Sequence, residues 1–226
     1  MKMMKLLFVG LVCAPSITGF SLSYEPNVRT RATGSDVTAL GGLSFSRVDY
    51  EIESVSDELD RKVLWLSMGA DVAPQVRAYG FLNLSLDAEW DKSNTEGQGY
   101  SFGGGLISQV HQAGPWTWSA FGNLSLVDEK YKKDDFKSKL SLMEIGVGAS
   151  GCYKTNGVLD PFFGLTVFPY SKGKLKFDAG GSADVERDDV FNIFAGLVMQ
   201  LNQITVIPQI SVGSEQTFGI AVEKKF

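Results

Sequence analysis

Apolar and polar residues alternate one by one through nearly the whole chain after position 37. Beyond the N-terminus no stretch approaches the roughly 20 consecutive apolar residues of a membrane-spanning helix. A period of two sends successive side chains to opposite faces of an extended strand, so the pattern dictates an all-β fold. The clearest case is 81–90, where Leu82, Leu84, Leu86, Ala88 and Trp90 share one face and Phe81, Asn83, Ser85, Asp87 and Glu89 the other. Residues 116–126 nearly copy it, with Trp116, Trp118, Ala120, Gly122, Leu124 and Leu126 on the apolar face. The same alternation runs through 143–153, 191–201 and 204–212.

About ten such segments can be drawn: 37–53, 61–73, 76–90, 99–112, 115–129, 138–153, 158–170, 188–201, 203–213 and 216–226. Most match or exceed the 9–11 residues with which a tilted strand crosses a bilayer. The first switches phase from Leu43 and Phe45 to Val48, Tyr50 and Ile52, which calls for a bulge. Tight turns are expected at Ala73-Pro74, 112–115, 154–157 and Asn202-Gln203. Between them lie longer polar connections at 54–60, 91–98, 130–137 and 171–187. Short turns on one rim and longer loops on the other predict a closed, antiparallel, up-and-down transmembrane β-barrel of about ten strands. Eight is the alternative, if 37–73 pairs differently.

Composition alone does not separate this barrel from a soluble one. Mean hydropathy is +0.00 and 44% of residues are hydrophobic, but only alternate residues of a membrane barrel meet lipid. Three features favour lipid. The apolar faces carry no charge until the strand ends. Aromatic residues collect near those ends, at Trp90, Tyr100, Trp116, Trp118, Tyr153, Tyr170, Phe191 and Phe218. The opposite face would bury Asn83, Asp87, Asn123 and Glu144 if it were an ordinary core. The expected lumen therefore carries Arg77, Asn83, Asp87, Asn123, Glu144, Thr166, Gln200 and Gln209. Glu144 paired with a lumenal base would plug it. Inward members of the 25 glycines would instead leave a thin water path.

The N-terminus reads as an export signal. Lys2 and Lys5 precede the apolar run 6–14, which is too short to span a bilayer, and Gly19-Phe20-Ser21 supplies a small-residue cleavage site. The expected organisation is a signal peptide at 1–21, a flexible periplasmic lead-in at 22–36 and the barrel at 37–226. Cys13 falls in the signal, which leaves Cys152 without a disulfide partner.

At the other end, Phe218, Ile220, Val222, Lys224 and Phe226 alternate with Thr217, Gly219, Ala221, Glu223 and Lys225. Together with the pattern over 37–226, this resembles the small outer-membrane β-barrel superfamily of the opacity-protein and OmpA transmembrane-domain type. The resemblance implies a Gram-negative outer membrane. It also implies that the barrel assembly machinery reads the terminal strand ending at Phe226.

Chemistry is sparse. His111 is the one histidine and falls at the expected periplasmic rim, away from the outer rim where barrel hydrolases work. Asp87, Glu89 and Asp91 read as a solvated rim. Gly97-Gln98-Gly99 and Gly103-Gly104-Gly105 precede no helix that could hold phosphate. Asn83-Leu84-Ser85 and Asn123-Leu124-Ser125 match the glycosylation sequon but lie in mid-strand. The acidic stretches Asp134-Asp135 and 186–189 read as solvated surface, and no catalytic, cofactor-binding or metal-binding set is assigned. With a net charge of −5 and no basic stripe, nucleic acid is not an expected partner. The expected partners are outer-membrane lipids including lipopolysaccharide, the assembly machinery, and host or neighbouring-cell ligands at the outer loops. The expected role is a structural or narrow-channel barrel and not an enzyme. Surface recognition through the loops is the alternative, with a rim-acting hydrolase or a soluble secreted barrel behind it.

Overall fold

A computed structural model describes residues 37–155, 157–201 and 204–225. The expected signal peptide at 1–21, the expected lead-in at 22–36, Asn156 of the expected 154–157 turn, the turn expected at Asn202-Gln203, and Phe226 lie outside the described residues. Within them the chain forms β1 (Thr38–Ile52), β2 (Val55–Ala73), β3 (Val76–Trp90), β4 (Thr95–Ala113), β5 (Trp116–Lys133), β6 (Phe136–Tyr153) and β7 (Leu159–Phe177). Four shorter strands follow: β8 (Ser182–Arg187), β9 (Phe191–Leu201), β10 (Ile204–Gly213) and β11 (Glu215–Lys225). All pairs are antiparallel, and β11 returns to β1 to close the sheet.

The closure differs with height. At the end that holds the described chain termini, β9, β10 and β11 stand between β7 and β1, which makes a ten-stranded ring. These three strands are short and stop partway up. Above them β8 pairs with upper β7 on one side and with Tyr50, Glu51 and Ile52 of β1 on the other. The upper wall is thus an eight-stranded ring continuous with a ten-stranded one.

The change of strand number coincides with a change of solvent pattern. In the lower ring the outward positions are apolar and exposed, as at Leu64, Leu66 and Met68 on β2, Leu82 and Leu84 on β3, and Leu124 and Leu126 on β5. The band covers 76–86, 100–110, 116–126, 143–153 and 191–201, each the length of a membrane-crossing strand. An encircling apolar surface of this size is a lipid-facing surface. Trp116, Trp118, Tyr153 and Phe163 cluster at its lower edge, and Phe45, Tyr100, Tyr170 and Phe191 mark its upper edge. In the upper ring the pattern inverts. Arg47, Glu58, Asp60, Lys62, Lys130 and Lys139 point out, while Val48, Tyr50, Leu59, Val127, Leu140 and Leu142 are buried. This collar folds as a water-soluble barrel does, with its apolar face inside.

That inversion corrects two expectations. β1 has no bulge: its register with β2 is unbroken over Thr38–Ile52. Leu43 and Phe45 face lipid, and the strand then leaves the band, so Val48 and Tyr50 turn to the core without any slip. On β3 the bulge exists where alternation looked perfect. The register shifts at Leu86 and Asp87, which are both exposed. Beyond it Ala88 and Trp90 point inward, 1% and 2% exposed, and Asp87 and Glu89 point outward. Trp90 is therefore not an interface aromatic but packs in the collar core against Tyr50 and Tyr131.

The segments read as long polar connections are continuations of the strands. Glu53 and Ser54, both at positive φ, close β1 and β2 as a two-residue hairpin. Asp134 at positive φ closes β5 and β6, and 171–187 is upper β7, a turn and β8. Where β10 meets β11 the turn is equally tight. Gly213 sits at φ 132°, and a Cβ there would lie 2.3 Å from the Phe191 carbonyl oxygen. Gly213→Ala is accordingly expected to cost about 1–3 kcal/mol of stability, read as a shift in the urea midpoint of the refolded barrel. An unchanged midpoint would show that the turn relaxes freely.

Candidate functional site

The lumen is the first place to look for function in a barrel, and here it is filled in three layers. The lowest is aromatic. Trp65, Phe121, Phe162 and Phe194 project inward with Leu40, Val63, Ile107, Cys152 and Ile207 into one buried cluster. Inward glycines make room for these rings. A Cβ on Gly148 would lie 2.2 Å from the Phe121 ring, one on Gly164 2.2 Å from Phe194, and one on Gly196 2.5 Å from Phe162. The glycines expected to leave a water path are instead the sockets of neighbouring aromatic side chains.

The middle layer is ionic and sits where ten strands become eight. Arg61 on β2 reaches across to Glu129 on β5, with Nε–Oε1 at 2.9 Å and Nη2–Oε2 at 3.0 Å. Ser85 donates to Oε1 of the same carboxylate at 2.6 Å, and the Tyr131 hydroxyl donates to Oε2. Arg187, at the end of β8, donates from Nε to Glu144 Oε1 at 2.6 Å and from Nη1 to Glu215 Oε2 at 3.0 Å. Ser171 donates to Glu144 at 3.0 Å. The Arg187 guanidinium also lies 4.0 Å from the centre of the Phe168 ring. The Tyr50 ring stands within 5.6 Å of the Arg61 guanidinium and 5.9 Å of that of Arg187. The side chains of Arg61, Glu129, Arg187 and Glu215 are all 0% exposed. Charges this deeply buried persist only when paired and hydrogen-bonded, as these are. The third layer is the apolar collar core of Val48, Tyr50, Leu59, Trp90, Tyr131, Leu140 and their neighbours.

Of the expected lumen residues, Asn83, Glu144, Thr166 and Gln209 are buried inside, and Asn123 points inward, half-buried, between Phe121 and Ser125 on β5. Arg77 is inside near the termini, bonded to Asp71 at 2.8 Å and Thr38 at 3.1 Å. Gln200 is exposed near the end of β9. Asp87 is not lumenal. The β3 bulge turns it outward, where it pairs with Lys62. Glu144 does meet a lumenal base, Arg187. The sequence reading missed Arg61, Glu129 and Glu215, although each lies on the inward parity of its strand.

The remaining motifs disperse. His111 is exposed at the termini end of β4, beside the register shift at Gln109. Glu89 and Asp91 are exposed on the collar. Gly97, Gly99, Gly103 and Gly105 lie on β4 under rings or strands of its neighbours and form no phosphate loop. Asn83 of the first sequon is buried and donates to Ser101 at 2.9 Å. Cys152 is buried and forms no disulfide among the described residues.

The collar is the second place to look, and its outer face is electrically two-sided. β8, β1 and β2 present Asp184, Glu186, Asp49, Glu51, Glu58 and Asp60, relieved by Arg47, which bonds Asp60 at 2.8 Å and Glu58 at 3.0 Å. The outer faces of β5, β6 and β7 are dominated by lysine.

No protein-family model matches the chain, and no curated protein matches it in sequence. Solved structures do match. The outer membrane protease OmpT from Escherichia coli aligns with TM-score 0.56 at 9% identity, over 89% of this chain and 99% of that one. The transport unit of the autotransporter AIDA-I from Escherichia coli aligns with TM-score 0.51 at 10% identity, over 90% and 93%. An outer membrane channel from Pseudomonas putida F1 aligns with TM-score 0.51 at 11% identity, over 89% and 99%. A protease, a transport unit and a channel share this scaffold, so the likeness speaks to architecture and not to activity. The chain has the fold of a bacterial outer-membrane β-barrel.

Proposed function

We propose that this chain is a non-conducting structural barrel of the Gram-negative outer membrane, which holds a rigid collar above the outer leaflet. The observation that carries the reading is the filled lumen: an aromatic layer, a paired ionic layer and an apolar core stacked along one axis. In a ring of about ten strands, side chains of this bulk leave no continuous water path. The apolar band, its two aromatic edges and the shared fold support the outer membrane as its site. The basic and then apolar residues of 1–21 support export by a cleavable signal, and the alternating sequence of 217–226 supports recognition by the barrel assembly machinery. Kinship with the opacity-protein and OmpA transmembrane type rests on the alternating pattern of 37–226 and that ending. In this reading the turns near the termini are periplasmic and the collar is extracellular. The chain acts without cofactor and is not an enzyme.

The test is single-channel recording of the mature protein refolded into a planar bilayer. Silence from protein that has demonstrably inserted is the expected result. Discrete, stable current steps would overturn it in favour of a narrow channel. Surface recognition is a second reading, favoured by the height and charge of the collar: rigid strands carry its polar residues well beyond the band.

A further inference from the structure

We propose that the outer face of β5, β6 and β7, directly above the apolar band, binds a phosphorylated acyl lipid of the outer leaflet. The inference rests on the orientation given above, with the collar outside the cell. Seven lysines occupy outward strand positions there: Lys130 and Lys132 on β5, Lys137 and Lys139 on β6, and Lys172, Lys174 and Lys176 on β7. Among the outward strand positions the one carboxylate is Asp128, and Asp178 follows just past the end of β7.

The register makes the arrangement costly for the protein alone. Lys130 is directly opposite Lys139, Lys139 is directly opposite Lys176, and Lys132 is directly opposite Lys137. Like charges opposed across neighbouring strands repel. Lys139 has a partner in Asp128 at 2.6 Å, Lys172 in Glu186 at 2.9 Å and Lys174 in Asp184 at 3.2 Å. These pairs are exposed and easily exchanged for a stronger anion. Lys130, Lys132, Lys137 and Lys176 make no ion pair among the described residues. A row of this kind is stabilised when a multiply charged anion lies across it.

Position selects the anion. Immediately below the lysines, Tyr100, Phe102, Leu126, Met143 and Lys172 line a shallow groove of about 380 Å³ at the edge of the band. A second groove of about 710 Å³ continues upward past Gln98 and the four lysines Lys130, Lys132, Lys137 and Lys139, with Asp87, Glu96 and Asp178 also on its lining. An amphiphile fits both: acyl chains against Phe102, Leu126 and Met143, phosphates among the lysines, whose long stems can bend down to the headgroup level. A soluble polyanion would use only the upper groove. A second copy of the chain, offering its acidic β8–β1–β2 face, would likewise leave the apolar groove unmatched.

The experiment titrates the folded full chain, in neutral detergent, with bis-phosphorylated lipid A, with the same lipid after enzymatic dephosphorylation, and with inorganic phosphate. Bound species are counted by native mass spectrometry, and folding is verified by the mobility difference between unheated and heated samples. The phosphorylated lipid is expected to bind at least tenfold more tightly than its dephosphorylated form. Lys130→Gln, Lys139→Gln and Lys176→Gln together should weaken it by about a hundredfold, the scale of three lysine–headgroup contacts. Glu58→Gln with Glu89→Gln, on the other faces, should leave it unchanged. If the triple variant refolds poorly, Lys130→Gln and Lys176→Gln singly should each cost several-fold. Four results would overturn the proposal: no preference for phosphate on the lipid, a preference that survives the lysine changes, inorganic phosphate bound as tightly as the lipid, or a lipid-independent dimer that the lysine changes dissolve. A protein that folds and inserts yet fails here loses this site and keeps the barrel assignment, whereas one that does not insert loses both.

Discussion

Arg187→Ala is expected to remove about 3–5 kcal/mol of stability. The residue holds Glu144 and Glu215 together at the level where the barrel changes from ten strands to eight. Truncation leaves two carboxylates in a closed interior without the cation that hydrogen-bonds them, and it removes a cation from the face of Phe168. The contrast lies in replacing the whole set. Arg187→Met with Glu144→Leu and Glu215→Leu should recover most of the loss, because an apolar layer of similar volume needs no pairing. Urea titration of the refolded protein, followed by electrophoretic mobility, reads both variants. A loss below about 1 kcal/mol for Arg187→Ala would mean that water reaches the layer, and the closed lumen would have to be abandoned.

The second large effect belongs to the outer wall. Leu66→Arg and Leu124→Arg, both within the band, should each cost about 2–4 kcal/mol in a lipid bilayer. Ser56→Arg, on the outward face of the collar and opposite Glu51, should change stability by no more than about 0.5 kcal/mol. The boundary lies between Leu126 and Asp128 on β5 and between Lys62 and Leu64 on β2. Equal costs above and below that line would mean that the band does not face lipid.

The sequence announced the strands and the faces of the band because alternation is a local property. The tight turn expected at Ala73-Pro74 lies one residue further on, at Pro74-Gln75, because Ala73 still pairs with Val76; proline marked its place and Gln75 takes the positive φ. The collar was not legible, and the reason is physical. Lys172, Lys174 and Lys176 alternate with Gly173, Leu175 and Phe177 as any half-buried strand would, yet between lipid-facing runs such a segment reads as a loop. Glu53-Ser54 carries neither the asparagine nor the glycine that normally marks a two-residue hairpin. The β3 bulge was hidden by its own success. It falls where the strand passes from lipid to water, so the apolar series Leu82, Leu84, Leu86, Ala88, Trp90 stays unbroken while its destination changes from outside to inside. The ionic layer could not be read at all beyond Glu144. Arg61 and Glu129 are 68 positions apart, and only the completed ring brings them together.

Two seams close this molecule, and they are unequal. The lower seam joins β1 to β11 over eleven residue pairs, from Thr38 with Lys225 to Val48 with Glu215. The upper seam joins β1 to β8 over three, Tyr50 with Arg187, Glu51 with Glu186 and Ile52 with Val185. The two closures share no strand pair, yet Arg187, in the upper seam, bonds Glu215 at the top of the lower one, so a single guanidinium latches the short closure to the long one. Above that latch the seam is the pairs of Glu51 and Ile52, and the rim there can part while the ring in the membrane stays closed.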